Sequence, residues 1–283
     1  MQTLAYIRQL LESRGLSPRK NLGQNFLIDH NLIRRLVDDS GVRAGELVLE
    51  VGPGTGALTD ELLSRGCRVV ACELDRGLAD LLRERLSDPR KTLDPVPPAA
   101  ASFTLIEGDC LESKRELSRE VASALRNEPF RLVANLPYGA ATPLMLALMT
   151  RHPECHSMHV TIQREVADRL LAGPSTKEYG PISIVAQALG EPKRVATLPP
   201  ECFWPRPDVT SAMLSWRRKQ RPATNDAAHL AEVCQRLFAN RRKQLGSVLG
   251  RDFAWPTGVK PENRIEELSV EQAVALADAV DSL

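Results

Sequence analysis

Five short apolar runs, each ending in polar or glycine-rich residues and each separated from the next by a helical pattern, constrain the fold of this chain most. They are Leu47-Val48-Leu49-Glu50-Val51, residues 67–72, residues 103–106, Arg131-Leu132-Val133-Ala134 and residues 158–162. Helical periodicity fills 57–65, 76–86, 116–126 and 144–150. Strands alternating with helices predict an α/β fold built on a doubly wound parallel sheet. In such sheets ligands bind beyond the carboxyl ends of the strands, and that is where the polar residues fall. Helices at 165–172 and 182–189 follow. Two more strands are expected at 193–198 and 209–216, with the proline-rich stretch 199–207 between them. Residues 88–102 read as a proline- and alanine-rich surface insertion. From Arg217 onward the pattern is helical and basic, so a boundary near 218 is expected. It divides a domain of residues 1–217 from a small C-terminal helical domain, 218–283.

Composition excludes several classes. With 43% apolar and 26% charged residues the chain is that of a soluble globular protein. No apolar run approaches the roughly 18–20 residues that span a bilayer. The N-terminus carries charges through its middle and reads as an amphipathic helix rather than a signal peptide. A cytoplasmic monomer with no membrane partner is expected. Six cysteines with no C-x-x-C pair argue against a zinc knuckle and a disulfide framework, so no metal is expected. Net charge is only +1, but residues 193–251 hold twelve Lys/Arg against four Asp/Glu. The densest groups are Arg217, Arg218 and Lys219, and Arg241, Arg242 and Lys243. Such clusters are either solvated faces or contacts to a polyanion.

The first strand runs into Gly52-Pro53-Gly54-Thr55-Gly56. Glycines at 52, 54 and 56 let backbone turn sharply and approach a ligand closely. Glu73, 21 residues after Gly52, ends the next strand where an acidic residue can hold ribose hydroxyls. Asp109 ends the third strand and can accept from an adenine amino group. The same pattern satisfies a loose dinucleotide fingerprint, so NAD remains an alternative to S-adenosylmethionine at this point. The fourth strand favours the latter. It ends in Asn135-Leu136-Pro137-Tyr138: a side-chain amide, a carbonyl held extended by the proline that follows it, and an aromatic ring. The Asn135 side-chain oxygen and the Leu136 carbonyl can accept the two hydrogens of a base amino group while Tyr138 stacks on the base. Phe203 is the candidate for the second face of an extruded base. No hydride-transfer constellation is visible.

These motifs resemble one family, the ribosomal RNA small-subunit adenine N6,N6-dimethyltransferases, almost end to end. Lys20-Asn21-Leu22-Gly23-Gln24-Asn25-Phe26-Leu27 is similar to that family's opening segment. The glycine turn, Glu73-Leu74-Asp75, Gly108-Asp109 and Asn135 to Tyr138 resemble its donor and acceptor motifs. Gln163-Arg164-Glu165-Val166-Ala167, Lys177-Glu178-Tyr179-Gly180 and Phe203-x-Pro205-x-Pro207-x-Val209-x-Ser211 continue the match. Phe238 to Leu245 is similar to a basic helix of the family. The resemblance implies a Rossmann-like methyltransferase domain. It implies S-adenosylmethionine held by Asn25, Leu27, Gly52, Glu73, Asp109 and Asn135, of which Asn25 and Leu27 come from the resemblance alone. It also implies dimethylation of two adjacent adenines in a terminal hairpin of small-subunit rRNA, within the immature small ribosomal subunit, and with that substrate Arg217, Arg218, Lys219, Arg241, Arg242 and Lys243 are expected to contact RNA phosphates. The chain departs from the family at Gly139-Ala140-Ala141, where polar side chains are usual at the first and third positions. A large-subunit rRNA methyltransferase, and an RNA-binding assembly or transcription factor on the same fold, are the competing expectations.

Overall fold

The computed structural model describes residues 2–88, 93 and 96–280. Residues 89–92, 94 and 95 of the expected insertion lie outside the described residues. The chain opens with helix α1 (Leu4–Glu12), the short strand β1 (Phe26–Leu27) and helix α2 (His30–Ser40). Then come β2 (Leu47–Val51), α3 (Ala57–Ser64), β3 (Arg68–Glu73), α4 (Arg76–Arg85) and β4 (Ser102–Glu107). A small antiparallel hairpin follows, β5 (Leu111–Ser113) with β6 (Glu116–Leu117). Helix α5 (Arg119–Leu125), β7 (Phe130–Asn135), α6 (Ala141–Arg151), β8 (Cys155–Gln163), α7 (Arg164–Leu171) and α8 (Pro181–Leu189) continue the alternation. The chain then forms β9 (Gly190–Leu198), β10 (Phe203–Trp204), β11 (Ser211–Arg218), α9 (Ala227–Phe238), α10 (Leu245–Leu249) and α11 (Val270–Ala279).

Seven strands make one sheet in the order β4-β3-β2-β7-β8-β11-β9. The first five pair in parallel, and β11 lies antiparallel between β8 and β9. The inner strands β2, β3 and β7 are almost wholly buried, as both faces of a parallel sheet are covered by helices. Their residues alternate between two cores. Leu47, Leu49, Val70, Cys72, Leu132 and Ala134 join a core that includes α6, α8, α9 and α11. Val48, Val69, Ala71 and Val133 join a second core with α1 to α4.

The order of β2, β3 and β7 positions the site. β2 is central, with β3 on one side and β7 on the other, so their carboxyl ends converge. Gly52, Glu73 and Asn135 therefore come together although 83 residues of chain separate the first from the last. A second device lies across the same end of the sheet: β1 pairs antiparallel with β10, setting Phe26 opposite Trp204 and Leu27 opposite Phe203. Two expectations are corrected. The segment at 116–126 begins as the β5–β6 hairpin, with helix only from Arg119. Residues 239–244 form the turn between α9 and α10 rather than a helix. The boundary expected near 218 falls at the last residue of β11. Beyond it, α9 and α11 pack on α8 and share its core.

Candidate functional site

A cleft of about 480 Å³ opens at the carboxyl ends of β2, β3 and β7. Among its lining residues are Asn25, Phe26, Gly52, Gly54, Glu73, Leu74, Asp109, Asn135, Leu136, Pro137 and Tyr138. Gly52 and Gly54 have φ of +71° and +61°, a region that non-glycine residues occupy at a cost of about 1–2 kcal/mol. The turn is also wedged between two neighbours. A Cβ on Gly52 would stand 3.1 Å from Pro137 Cγ, and one on Gly54 would stand 2.8 Å from the Phe26 ring. The glycine turn and the Asn-Leu-Pro-Tyr segment thus touch, which places any ligand on the first beside any ligand on the second.

Glu73 forms the floor on the β3 side. The Gly54 N–H donates to its Oε2 at 3.0 Å and the Asp75 N–H to its Oε1 at 2.9 Å. Burial raises its pKa, while these backbone donors oppose the rise. A carboxylate so fixed has lone pairs left to accept hydroxyl donors. Asp75 continues the scaffold: its Oδ1 accepts from the Gly77 N–H at 2.9 Å and caps α4, and its Oδ2 accepts from Gln24 Nε2 at 3.0 Å. Across the cleft Asp109 is held by the Leu111 N–H, 2.9 Å from Oδ1.

On the other side, Asn135 Nδ2 donates to the Asn25 carbonyl at 2.8 Å. A carbonyl oxygen only accepts, so this bond settles which end of the amide is which and leaves Oδ1 as the acceptor. The Leu136 N–H donates to the Thr161 carbonyl at 3.0 Å, which anchors the Asn135–Leu136 peptide to β8, one residue before the Leu136 carbonyl. Tyr138 is half-buried, with its hydroxyl 2.8 Å from Ser211 Oγ on β11, and burial raises its pKa. The set comprises two fixed acceptors, an aromatic face and a neighbouring glycine cradle. It can hold a planar amino-bearing ring against a nucleoside-type ligand. Among the described residues no group of three or more His, Cys, Asp or Glu side chains could hold a metal ion.

The model of the ribosomal RNA adenine dimethylase family matches residues 15–282. The chain belongs to that family. A protein of Leifsonia xyli subsp. xyli named ribosomal RNA small subunit methyltransferase A is 38% identical, the match covering 96% of each chain. A protein of the same name from Streptomyces coelicolor is 38% identical over 97% of this chain and 95% of its own. Among solved structures, the 23S rRNA methyltransferase ErmE is 25% identical with a TM-score of 0.64, covering 91% of this chain and all of its own. A dimethyladenosine transferase from Plasmodium falciparum shares the fold, with a TM-score of 0.67 at 18% identity, covering 88% of this chain and 94% of its own.

Not every residue that matches the family's motifs lies in the cleft. Leu27 is buried in β1 opposite Phe203. Phe203 is only 3% exposed and packs in the α1–α4 core, so its ring offers no face to the cleft in this conformation. Its strand partner Leu27 and the core hold it inward. Gly56, the residue before α3, is absent from the cleft lining; a Cβ there would overlap the Arg85 guanidinium and stand 2.8 Å from Leu82 Cδ2.

The basic residues also divide. Arg218 is spent inside the fold: it donates to the carbonyls of Leu148, Met149, His152 and Cys155 and lies 5.0 Å from the Trp216 ring. Arg241 pairs with Glu266 and donates to the carbonyls of Thr176 and Lys177. Lys219 Nζ donates to the Gln187 carbonyl at 2.6 Å, and Arg217 to that of Asp39 at 2.7 Å. Arg242 and Lys243, on the turn after α9, are exposed. Sequence reasoning placed Leu74, Gln24 and Ser211 within motifs but gave them no role of their own. Leu74 was visible as an apolar residue between two acids, and at 53% exposure it leaves an apolar surface at the cleft mouth.

Proposed function

We propose that the chain dimethylates N6 of two adjacent adenines in a terminal hairpin of small-subunit rRNA, acting as a cytoplasmic monomer on the immature small ribosomal subunit. The methyl donor is S-adenosylmethionine, whose sulfonium supplies an electrophilic methyl group. Asn25, Gly52, Gly54, Glu73 and Asp109 would hold it. The observation that carries the reading is the contact of Gly52 with Pro137, together with an Asn135 amide whose orientation is fixed by the Asn25 carbonyl.

The N6 lone pair of adenine is delocalised into the ring, so the protein must favour a more tetrahedral nitrogen. Asn135 Oδ1 and the Leu136 carbonyl accept the two N6 hydrogens, and Tyr138 stacks on the base. Catalysis is by positioning and preorganised acceptors. Bound there, S-adenosylmethionine would give its methyl group to this nitrogen, its sulfur keeping the bonding pair, and the N6 proton would leave to solvent. Full-length relatives at 38% identity carry the small-subunit name, which favours that substrate over the 23S rRNA named for ErmE.

The test is transfer of labelled methyl from S-adenosylmethionine to immature small subunits and to large subunits, followed by mass spectrometry of each rRNA. Two adjacent dimethyladenosines in small-subunit RNA are expected. Label only in large-subunit RNA would overturn the substrate, and particle binding without transfer would overturn the activity.

A further inference from the structure

Behind the glycine turn, a buried polar cluster grips it from the side away from the cleft. The Thr55 carbonyl accepts from Gln2 Nε2 at 3.0 Å and from Arg85 Nη2 at 3.1 Å. The same Arg85 nitrogen reaches the Gly56 carbonyl at 3.4 Å. Arg85 Nη1 pairs with Asp60 Oδ1 at 2.8 Å, and Gln2 Nε2 also donates to Asp60 Oδ2 at 3.0 Å. Gln2 is 4% exposed and the Arg85 side chain 13%. None of Gln2, Thr55, Gly56, Asp60 or Arg85 lines the cleft.

The geometry fixes a short piece of backbone from two directions. On the cleft side the Gly54 N–H is anchored to Glu73, and on the far side the Thr55 and Gly56 carbonyls are anchored to Arg85. Peptide units are planar, so pinning an N–H at one end and carbonyls at the other removes most of the freedom of a glycine-rich turn. Asp60 holds the guanidinium in place. The absence of a Cβ at Gly56 leaves room for it.

We propose that Arg85, assisted by Gln2, is a positioning residue for the methyl donor. It acts through the Thr55 and Gly56 carbonyls to hold the turn in the shape that lines the cleft, and it touches no reacting atom. The proposal rests on the reading of this turn as the donor-binding turn.

The experiment is calorimetric titration of wild type, Arg85→Met, Arg85→Lys and Gln2→Ala with S-adenosylhomocysteine, paired with steady-state kinetics and thermal melts. Hydrogen bonds to a charged group, lost together, predict donor affinity weakened roughly ten- to a hundredfold in Arg85→Met. The KM for donor rises with Kd, whereas kcat at saturating donor and the KM for RNA stay within about twofold, because a misshapen turn reduces uniform binding rather than the chemical step. Arg85→Lys keeps the pair with Asp60 but has one nitrogen where two were used, so it falls between wild type and Arg85→Met. Gln2→Ala weakens donor binding several-fold.

A well-folded Arg85→Met that binds as wild type does, or one that loses kcat while keeping its donor KM, overturns the positioning role. If Arg85→Met does not fold, Arg85→Lys and Gln2→Ala decide by the same readouts, and unchanged donor affinity in both overturns it. A wild-type protein that binds no donor analogue sinks the reading of the turn and this proposal with it. Wild-type binding with unaltered variants sinks the proposal alone.

Discussion

Replacing Asn135 by Asp changes one NH2 to an oxygen and almost nothing in volume, and it tests the site at its hinge. In the native structure Nδ2 faces the Asn25 carbonyl at 2.8 Å. In Asn135→Asp above the carboxyl pKa, two acceptors face each other there. Losing the bond and leaving a half-buried carbonyl without its donor costs about 2 kcal/mol, or roughly 3–4 °C in Tm for a chain of this size. The carboxyl also turns away from its preorganised direction, which costs turnover about a hundredfold. The protonated acid restores the donor: its O–H gives to Asn25 and its C=O remains to accept. The folded pKa of the introduced carboxyl therefore lies above the unfolded value of about 3.9. The deficit is full above that raised pKa and shrinks as pH falls through it. Melts and single-turnover methyl transfer, each taken relative to wild type from pH 5 to pH 8.5, read both effects. A deficit constant across that range, or no deficit at pH 8.5, would refute the assigned orientation of the amide.

Glu50 is 1% exposed beneath the turn, and burial pushes its carboxyl up to about 8, opposed by the Thr59 hydroxyl. Folded protein thus keeps a proton that the unfolded chain releases, and stability falls as pH rises between the ordinary glutamate range and about 8, by up to about 1.4 kcal/mol per pH unit. Glu50→Gln should flatten that fall in urea midpoints measured from pH 5 to pH 8, and an unchanged slope would count against it. Tyr138→Phe should keep turnover within a few-fold, since the ring remains and only the Ser211 bond is lost. Tyr138→Ala should lose about 1–3 kcal/mol of base stacking, measured as kcat/KM for the RNA. Arg218→Ala should destabilise the fold by about 2–4 kcal/mol in urea titration, by orphaning four carbonyls, without altering the salt dependence of RNA binding. The paired change of Arg242 and Lys243 to Glu should do the reverse, weakening binding and lowering the slope of log K against log salt by about one to two.

The ends of the strands were legible because polarity changes abruptly there. Glu50-Val51-Gly52, Cys72-Glu73 and Ala134-Asn135 each pass from buried sheet to the lining of the cleft, and parallel order then brings them together. Contacts that span the chain were not legible. Nothing local in Phe26-Leu27 or Phe203-Trp204 announces a two-residue ribbon, so Phe203 read as an aromatic facing an extruded base, whereas its ring packs in the core beside its strand partner. Charge density does not show that Arg218 and Arg241 also have partners inside the fold. A guanidinium donates from several nitrogens and can be consumed by backbone carbonyls brought near by folding, which no count of Lys and Arg reveals. Gly56 read as a ligand glycine, yet its missing side chain makes space for Arg85 at the end of α4.

The sheet order β8-β11-β9 means that its last strand slots between two that precede it in the chain. Tyr138 leans on Ser211, the first residue of that late strand, so the cleft wall that carries Tyr138 acquires this brace only after residue 211 has been made and inserted. Until β11 is inserted, β8 and β9 each lack a neighbour that they have in the folded sheet. A nascent chain stopped short of the insertion therefore still lacks the strand that pairs with both β8 and β9, and that half of the sheet closes last.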